Sequence, residues 1–416
     1  MTLFRTNSRI VAEVVVSGGL SAALTMGYII YVGRVLGPVE YADFAAALSV
    51  IYFVGVAMSP FTPAVARLCA RYTARNDFLA VGVLRRRFIR GITIVGIAVT
   101  GAGIALSTPL ADLLNFRSSL PLSVAFCVVL LYAVVSVDRG VIHGLLLFRV
   151  HNVNIVAEAL VRCVCAGALL VVWRSAGAAM VSYLSALLLA ELLLGIRLRK
   201  EWASDGAISV DWMEVRRVTL PILLLMIGVA AFQNSDMIVV KRFFPAVDSG
   251  AYGAATAMAR AIGILFVPLY VIVSPILSGL HESGQPVFAA TMRLTAIFLA
   301  LAILPLVLFA GWSSRIVALL YGAGFTAAGP LLLPLAGVAV IMYTGLMLSQ
   351  ALVTVSDHVF LIAYSSLAIV QIVALLAFHE SFHDVLRALY VVQSTLLVIV
   401  AGFFFRAWAA RRQTAA

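Results

Sequence analysis

The chain has 416 residues, of which 63% are hydrophobic and 11% are charged, and its formal net charge is +11. Soluble globular proteins are roughly 45–50% apolar and about 25% charged, so this composition excludes a soluble enzyme and a disordered chain. A polytopic all-α membrane protein is predicted. We interpret the excess of basic residues as a determinant of membrane orientation, and not as a nucleic-acid surface.

Twelve apolar runs are long enough to cross a bilayer core about 30 Å thick as helices. They are residues 10–32, 44–66, 88–110, 120–143, 153–173, 177–196, 218–241, 251–277, 288–311, 328–350, 358–378 and 385–405. The longest polar stretch follows the sixth run. The predicted organisation is therefore a six-helix lobe at 1–200, a cytoplasmic linker at 201–217 and a second six-helix lobe at 218–416.

Basic residues are distributed unequally between the two sides of the predicted membrane. With the N-terminus inside, twenty Lys and Arg residues fall on the cytoplasmic side and seven fall on the opposite side. Because short cytoplasmic loops are enriched in Lys and Arg, we expect both termini to be cytoplasmic. The expected location is the cytoplasmic (inner) membrane.

The two halves contain an internal repeat. A shift of 208 residues aligns residues 28–60 with residues 236–268 without a gap, and eight positions are identical. The matches include Arg34 with Arg242 and Gly55 with Gly263, while the acidic Glu40 aligns with Asp248. Repeats separated by six spans run in the same direction, so two pseudo-symmetric lobes around a central cavity are predicted.

Several sequence segments carry a family resemblance. They are GRVLGPVEYADF at 33–44, RGVIHGLLLFRVHNVN at 139–154, EALVR at 158–162, the stretch from Ser235 to Arg260, and VPLYVIVSPILSGL at 267–280. In this order they resemble the polysaccharide-transporter branch of the multidrug/oligosaccharidyl-lipid/polysaccharide exporter superfamily, as in O-antigen (Wzx-type) flippases.

This resemblance implies alternating-access transport of a polyprenyl-diphosphate-linked oligosaccharide from the cytoplasmic to the outer leaflet, with no cofactor. The implied partners are that glycan and the membrane lipids, with the glycan polymerase machinery as a further candidate. No nucleic acid is expected. A drug or cation antiporter of the same fold is the alternative, because relatives that export drugs share the twelve-span plan.

Charged and amide side chains inside the predicted spans are the candidate site, because such groups are costly in a bilayer unless they pair or face water. The candidates for substrate binding are Arg139, Arg162, Gln233, Asn234 and Arg260; the candidates for ion coupling or ion pairing are Glu13, Asp138, Glu158 and Asp236. Two interpretations stay open. The charges hold each lobe together as ion pairs, or an arginine presents its planar guanidinium to a diphosphate.

One motif favours a different class of protein. Residues 379–383 read His-Glu-Ser-Phe-His, which fits the zinc-protease signature HExxH. That signature requires both histidines on one helix, whereas this motif falls in a short predicted turn, so we expect no metal site. A membrane glycan polymerase is a further enzyme alternative, but such proteins carry a long external loop. The sequence lacks a P-loop, so the chain is not predicted to hydrolyse nucleotide.

Overall fold

The computed structural model describes residues 2–56, 61–199, 212–263, 277, 287–354 and 359–415. These residues form α-helices and one short 3₁₀ helix, with no strand among them. The helices are α1 (Thr2–Val56), α2 (Phe61–Ala74), α3 (Phe78–Ala105), α4 (Ser107–Leu113), α5 (Leu120–Gly144), α6 (Phe148–Val172), α7 (Ala176–Arg199), α8 (Trp212–Phe243), α9 (Ala246–Arg260), α10 (Val287–Tyr321), α11 (Gly329–Thr354), α12 (Val359–Ala377) and α13 (Phe382–Ala415). The 3₁₀ helix, Ala323–Ala328, precedes α11.

Ten helical segments of the described chain are long and apolar enough to cross a membrane, so the predicted all-α membrane fold is confirmed. One of the ten, Glu13–Gly55, contains most of the first predicted span and about half of the second. The eighth predicted span, 251–277, lies partly outside the described residues. The second and eighth predicted spans therefore account for the difference between the twelve spans predicted and the ten segments found in the described chain.

A bend divides α1 into two parts. At about 1.5 Å per residue, its 55 residues would measure about 82 Å as one rod, more than twice the thickness of the bilayer core. Gly37 interrupts the helix with φ 72° and ψ 172°, and Pro38 follows it inside the helix. Glycine adopts this conformation at little cost, and proline has the φ value with which a new helix begins.

The motif that follows Gly37 joins α1 to α7 and to the connection between α4 and α5. Glu40 accepts a hydrogen bond from the backbone N–H of Ala176 at the start of α7 (2.9 Å), and its other oxygen pairs with Arg117 (3.0 Å). Asp43 accepts a hydrogen bond from the Arg117 backbone N–H at 3.0 Å. The two acidic side chains of this motif therefore attach α1 to α7 and to Arg117.

The chain divides into two compact units, Met1–Ala230 and Ala231–Ala416. The boundary falls within α8. The predicted linker, 201–217, lies outside the described residues as far as 211, and its remainder already belongs to α8. The predicted lobe boundaries stay a prediction.

In the first unit, α5 packs against α1, α2, α3 and α7. Two glycines bring α5 close to α2: a Cβ at Gly140 would lie 2.8 Å from the Thr62 carbonyl oxygen, and one at Gly144 would lie 2.6 Å from that of Ala66. The Thr62 hydroxyl also donates to the Ser136 carbonyl at 2.9 Å. Close packing of small residues supplies helix association in lipid, where the hydrophobic effect between helices is absent.

In the second unit, α11 packs against α9, α10 and α13, and α12 packs against α13. Gly337 of α11 leaves room for the ring of Tyr390 on α13, whose hydroxyl donates to the Pro334 carbonyl at 2.8 Å. A glycine therefore allows close packing of α11 against α13 in this unit.

The bend at Gly37 predicts a substitution effect. An alanine there has space for its Cβ but must hold φ at 72°, which costs about 1–3 kcal/mol. Gly37→Ala should therefore lower the unfolding temperature of the detergent-purified protein, followed by tryptophan fluorescence. Gly27→Ala is the matched control, because Gly27 lies inside the same helix with open space around it and should gain about 0.5–1 kcal/mol. Equal unfolding temperatures for the two variants would contradict the assignment of the bend to Gly37.

Candidate functional site

A charged cluster joins α5 and α6 in the first unit. The Arg139 Nη2 group donates to Glu158 Oε2 at 2.6 Å, and the Arg162 guanidinium donates to the other oxygen, Glu158 Oε1. Arg139 also donates from Nε and Nη2 to Asn154 Oδ1, at 3.3 and 3.0 Å. Asn154 is itself held by its donation to the Ala190 carbonyl of α7 at 2.9 Å. One carboxylate thus serves two arginines.

The two arginines of this cluster differ in their surroundings. The Arg162 guanidinium carbon lies 3.9 Å from the ring centre of Tyr183 and 5.8 Å from that of Tyr28, so it is held between aromatic faces by cation–π attraction. Its side chain is only 5% exposed, whereas that of Arg139 is 15% exposed. Among the described residues neither arginine has a hydrogen bond on Nη1, so their exposure is what distinguishes them. Arg139 is therefore the better placed of the two to receive a ligand.

A second ion pair lies beside this cluster. Arg85 of α3 donates to Asp138 of α5 through Nε at 2.7 Å and Nη2 at 2.5 Å, a two-pronged contact. Glu191 of α7 interacts electrostatically with Asp138, Arg85 and Arg139, and its Oε2 atom is buried without a hydrogen-bond donor among the described residues. The whole network therefore contains three arginines and three carboxyl groups.

Part of this network was not predicted from the sequence. Arg85 counted only as one of the cytoplasmic basic residues, because nothing local indicates that it reaches Asp138, 53 positions away. Glu191 is an acidic residue inside the sixth predicted span, and the cost of charge in a bilayer was a signal that could have identified it. Tyr183 and Tyr28 gave no signal, since aromatic residues are common in membrane helices.

A third cluster lies in the second unit. Arg260 of α9 donates to Asp236 of α8 at 3.0 Å and to Asn234 at 3.3 Å. Tyr252 donates its hydroxyl to the second Asp236 oxygen at 2.8 Å. Asp236 therefore has both oxygens bonded, and the Arg260 side chain, 25% exposed, is the more accessible member of the pair.

Buried amides link helices next to the third cluster. The Gln371 amide nitrogen of α12 lies 3.0 Å from the Ser235 hydroxyl and 3.2 Å from the Phe232 carbonyl of α8. The Gln393 amide of α13 donates to Gln371 Oε1 at 2.8 Å. These amides join three helices through hydrogen bonds. Gln233, a predicted substrate contact, is half-buried on α8 next to them.

The structure contains both ion pairs considered from the sequence, Glu158–Arg162 and Asp236–Arg260. Asp138 pairs with Arg85 and does not join the Glu158–Arg162 pair, because α5 presents Asp138 to α3 and Arg139 to α6. Glu13 is half-buried on α1, and its carbonyl accepts a hydrogen bond from Ser17 at 2.7 Å. The substrate-binding role of these residues stays a prediction.

The histidine motif has the wrong geometry for the zinc-protease signature. His379 precedes α13, with its Nδ1 atom 2.8 Å from the Leu376 carbonyl and its ring stacked on Phe243 at 3.7 Å. His383 lies in the first turn of α13, which begins at Phe382. The two histidines therefore do not occupy successive turns of one helix, the arrangement that lets HExxH hold a metal.

The shared carboxylate predicts a large stability effect. Glu158→Gln removes the anion that neutralises two largely buried guanidiniums, and breaking such a buried pair costs about 3–5 kcal/mol. Arg117→Gln, which breaks the Glu40 pair at a side chain 60% exposed, should cost about 1 kcal/mol or less. Thermal unfolding in detergent measures both. A Glu158→Gln variant as stable as Arg117→Gln would show that the cluster contributes little to stability.

Solved transporters share this fold. A multidrug resistance MATE family transporter of the MOP superfamily, in an inward-facing conformation, has a TM-score of 0.76 at 14% identity over 96% of each chain. A eukaryotic MATE transporter has a TM-score of 0.67 at 14% identity, over 99% of this chain and 100% of its own. A MOP superfamily transporter from Pyrococcus furiosus has a TM-score of 0.61 at 14% identity, over 97% of this chain and 96% of its own.

The family assignment comes from the sequence itself. No curated protein sequence matches the chain significantly. Residues 11–281, well over half of the chain, match the family described as polysaccharide biosynthesis protein. Together with the transporter fold, this confirms the resemblance to the polysaccharide-transporter branch of the MOP superfamily. The chain is a multi-pass membrane protein that belongs to the polysaccharide biosynthesis protein family.

Proposed function

We propose that the protein is a flippase, not an enzyme, which moves a polyprenyl-diphosphate-linked oligosaccharide from the cytoplasmic to the outer leaflet by alternating access. Family membership and the transporter fold support transport in polysaccharide biosynthesis. The proposed orientation has both termini in the cytoplasm, as the distribution of basic residues indicates. The substrate of such a carrier is the product of glycan assembly on the inner leaflet, and the glycan polymerase machinery is the proposed downstream partner.

The arrangement of Arg139, Glu158 and Arg162 carries this proposal. Arg139 presents a guanidinium whose Nη1 group is unoccupied within the described residues, and Asn154 fixes its orientation. A guanidinium binds phosphate oxygens through parallel N–H groups and stays charged at any physiological pH. A diphosphate would therefore bind Arg139 in competition with Glu158, which keeps its bond to Arg162. In this mechanism Arg162 is a positioning residue, because it is enclosed by tyrosines.

A drug or cation antiporter is the second candidate function. The similarity in fold to MATE multidrug transporters supports it. The Pyrococcus furiosus relative is described as having a binding pocket of reversed polarity that points to a different function, so this fold carries pockets of either polarity. The hydrogen bond of Arg139 to the carboxylate that it shares with Arg162 favours the flippase, because an anionic ligand can replace that bond and a cationic drug cannot.

A deletion strain tests the function directly. Loss of the protein should cause polyprenyl-linked glycan to accumulate on the cytoplasmic side of the membrane, measured by lipid extraction and accessibility of the glycan to added enzymes. Complementation with the intact gene should restore export. Normal glycan export combined with new sensitivity to cationic dyes would contradict the flippase proposal and support the antiporter.

Two arginine variants separate ligand binding from positioning. Arg139→Ala should reduce glycan export at least tenfold in the complemented strain at normal protein abundance, because the proposed phosphate contact is lost. Arg139→Lys should restore part of the export, since a lysine supplies charge without the two-pronged geometry. Arg162→Ala should lower protein abundance together with export, because it removes a buried positioning residue.

Arg117→Ala, at an exposed ion pair, is the matched control and should export normally. Full export by Arg139→Ala at normal abundance would contradict the proposed role of Arg139.

A further inference from the structure

An apolar furrow runs along the first unit between α1, α3 and α5. Its volume is about 330 Å³, and its walls include Val54 of α1, Ile92 and Val99 of α3, and Leu130 and Ala133 of α5. Arg87 is the one charged residue among the described residues that line it. From Arg87 to Val99 the furrow follows about 18 Å of helix at 1.5 Å per residue, which exceeds half the thickness of the bilayer core.

The furrow has one cationic end. Arg87 lies there, and Arg90, three residues further along α3, is exposed on the same side of the helix. The preceding segment, 61–86, contributes five further arginines and a single acidic residue, Asp77, which caps α3 through the Ala80 N–H at 3.0 Å. An apolar furrow that ends at cationic side chains is complementary to a lipid with an apolar chain and an anionic head.

The cationic end also adjoins the charged network described above. Arg85, two residues before Arg87, forms the two-pronged pair with Asp138. Asp138 precedes Arg139 on α5, the helix that also forms a wall of the furrow. The furrow therefore shares α3 with Arg85 and α5 with Arg139, although the Arg139 side chain faces α6.

We propose that this furrow binds the polyprenyl chain of the substrate, with the diphosphate held near Arg87 and Arg90 before it reaches the proposed site at Arg139. The inference rests on the proposed flippase function and names the tail site of that substrate. A single furrow fits a lipid with one chain, whereas an ordinary phospholipid would leave its second chain outside. A diphosphate also carries more negative charge than the single phosphate of a phospholipid, so Arg87 and Arg90 should attract it more strongly.

Gly91 offers a way to block the furrow without disturbing the fold. It lines the furrow one turn from Arg87, and a Cβ built on it meets nothing within 4 Å. A phenylalanine at this position therefore has room in the empty space of the furrow. Gly101 is the matched control, because it lies exposed on the same helix, outside the furrow, and a Cβ there also meets nothing within 4 Å.

The binding experiment uses the full-length protein in detergent and undecaprenyl diphosphate as the probe, with bound lipid counted by native mass spectrometry. Gly91→Phe should weaken binding at least tenfold, while Gly101→Phe should bind as the unmodified protein does. Equal binding by Gly91→Phe and Gly101→Phe would overturn the proposal.

The head contact is tested separately. The double variant Arg87→Gln/Arg90→Gln should also weaken binding at least tenfold, whereas Arg149→Gln, an exposed arginine on α6, should not. Competition distinguishes the lipid sources: phosphatidylglycerol and free pyrophosphate at the same concentration should displace little of the probe. Equal displacement by phosphatidylglycerol would show an ordinary lipid contact surface and overturn the proposal.

Failure of this inference is distinguishable from failure of the flippase function. If glycan export requires the protein but Gly91→Phe binds the probe and exports normally, the tail site is wrong and the flippase function stands. If the deletion strain exports glycan normally, the proposed flippase function is wrong. The furrow then cannot be the tail site of a transported substrate, whatever lipid it binds.

Discussion

The carboxylate of Glu158, shared by Arg139 and Arg162, is the interaction on which the account of this protein depends. Ions are expensive inside a bilayer, so two guanidiniums persist there only with a partner that offsets the cost of their desolvation. Glu158 supplies one oxygen to each. In the proposed mechanism, Arg139 exchanges its half of the carboxylate for the diphosphate, while Arg162 keeps its bond to Glu158.

The packing around each arginine determines which of the two is the proposed ligand of the diphosphate. Two tyrosines enclose Arg162, while Arg139 is oriented by Asn154, which is anchored in turn to α7. Consecutive residues of an α-helix point about 100° apart, so on α5 Asp138 meets α3 while Arg139 meets α6.

Hydropathy predicted most of the fold. A membrane helix must form all its backbone hydrogen bonds within itself, so each span is visible in the sequence as an apolar run of helical length. The Glu158–Arg162 pair was also predictable, since residues four apart share a helix face. The partner of Asp138 was not, because contact with Arg85 depends on how α3 packs on α5. Glu191 was not predicted, although an acidic residue inside an apolar run is a sign of a functional or paired charge. The bend at Gly37 was not predicted, since its positive φ is a property of the folded backbone.

Leaflet-to-leaflet movement of the substrate is the most direct test of this account. Purified protein in liposomes, with a fluorescent polyprenyl-diphosphate-linked glycan and a membrane-impermeant quencher, reports the fraction of lipid that changes leaflet. The account predicts translocation well above that of protein-free liposomes, with a loss of at least tenfold in Arg139→Ala and normal movement in Arg117→Ala. Translocation at the protein-free rate, or equal rates in both variants, would contradict it.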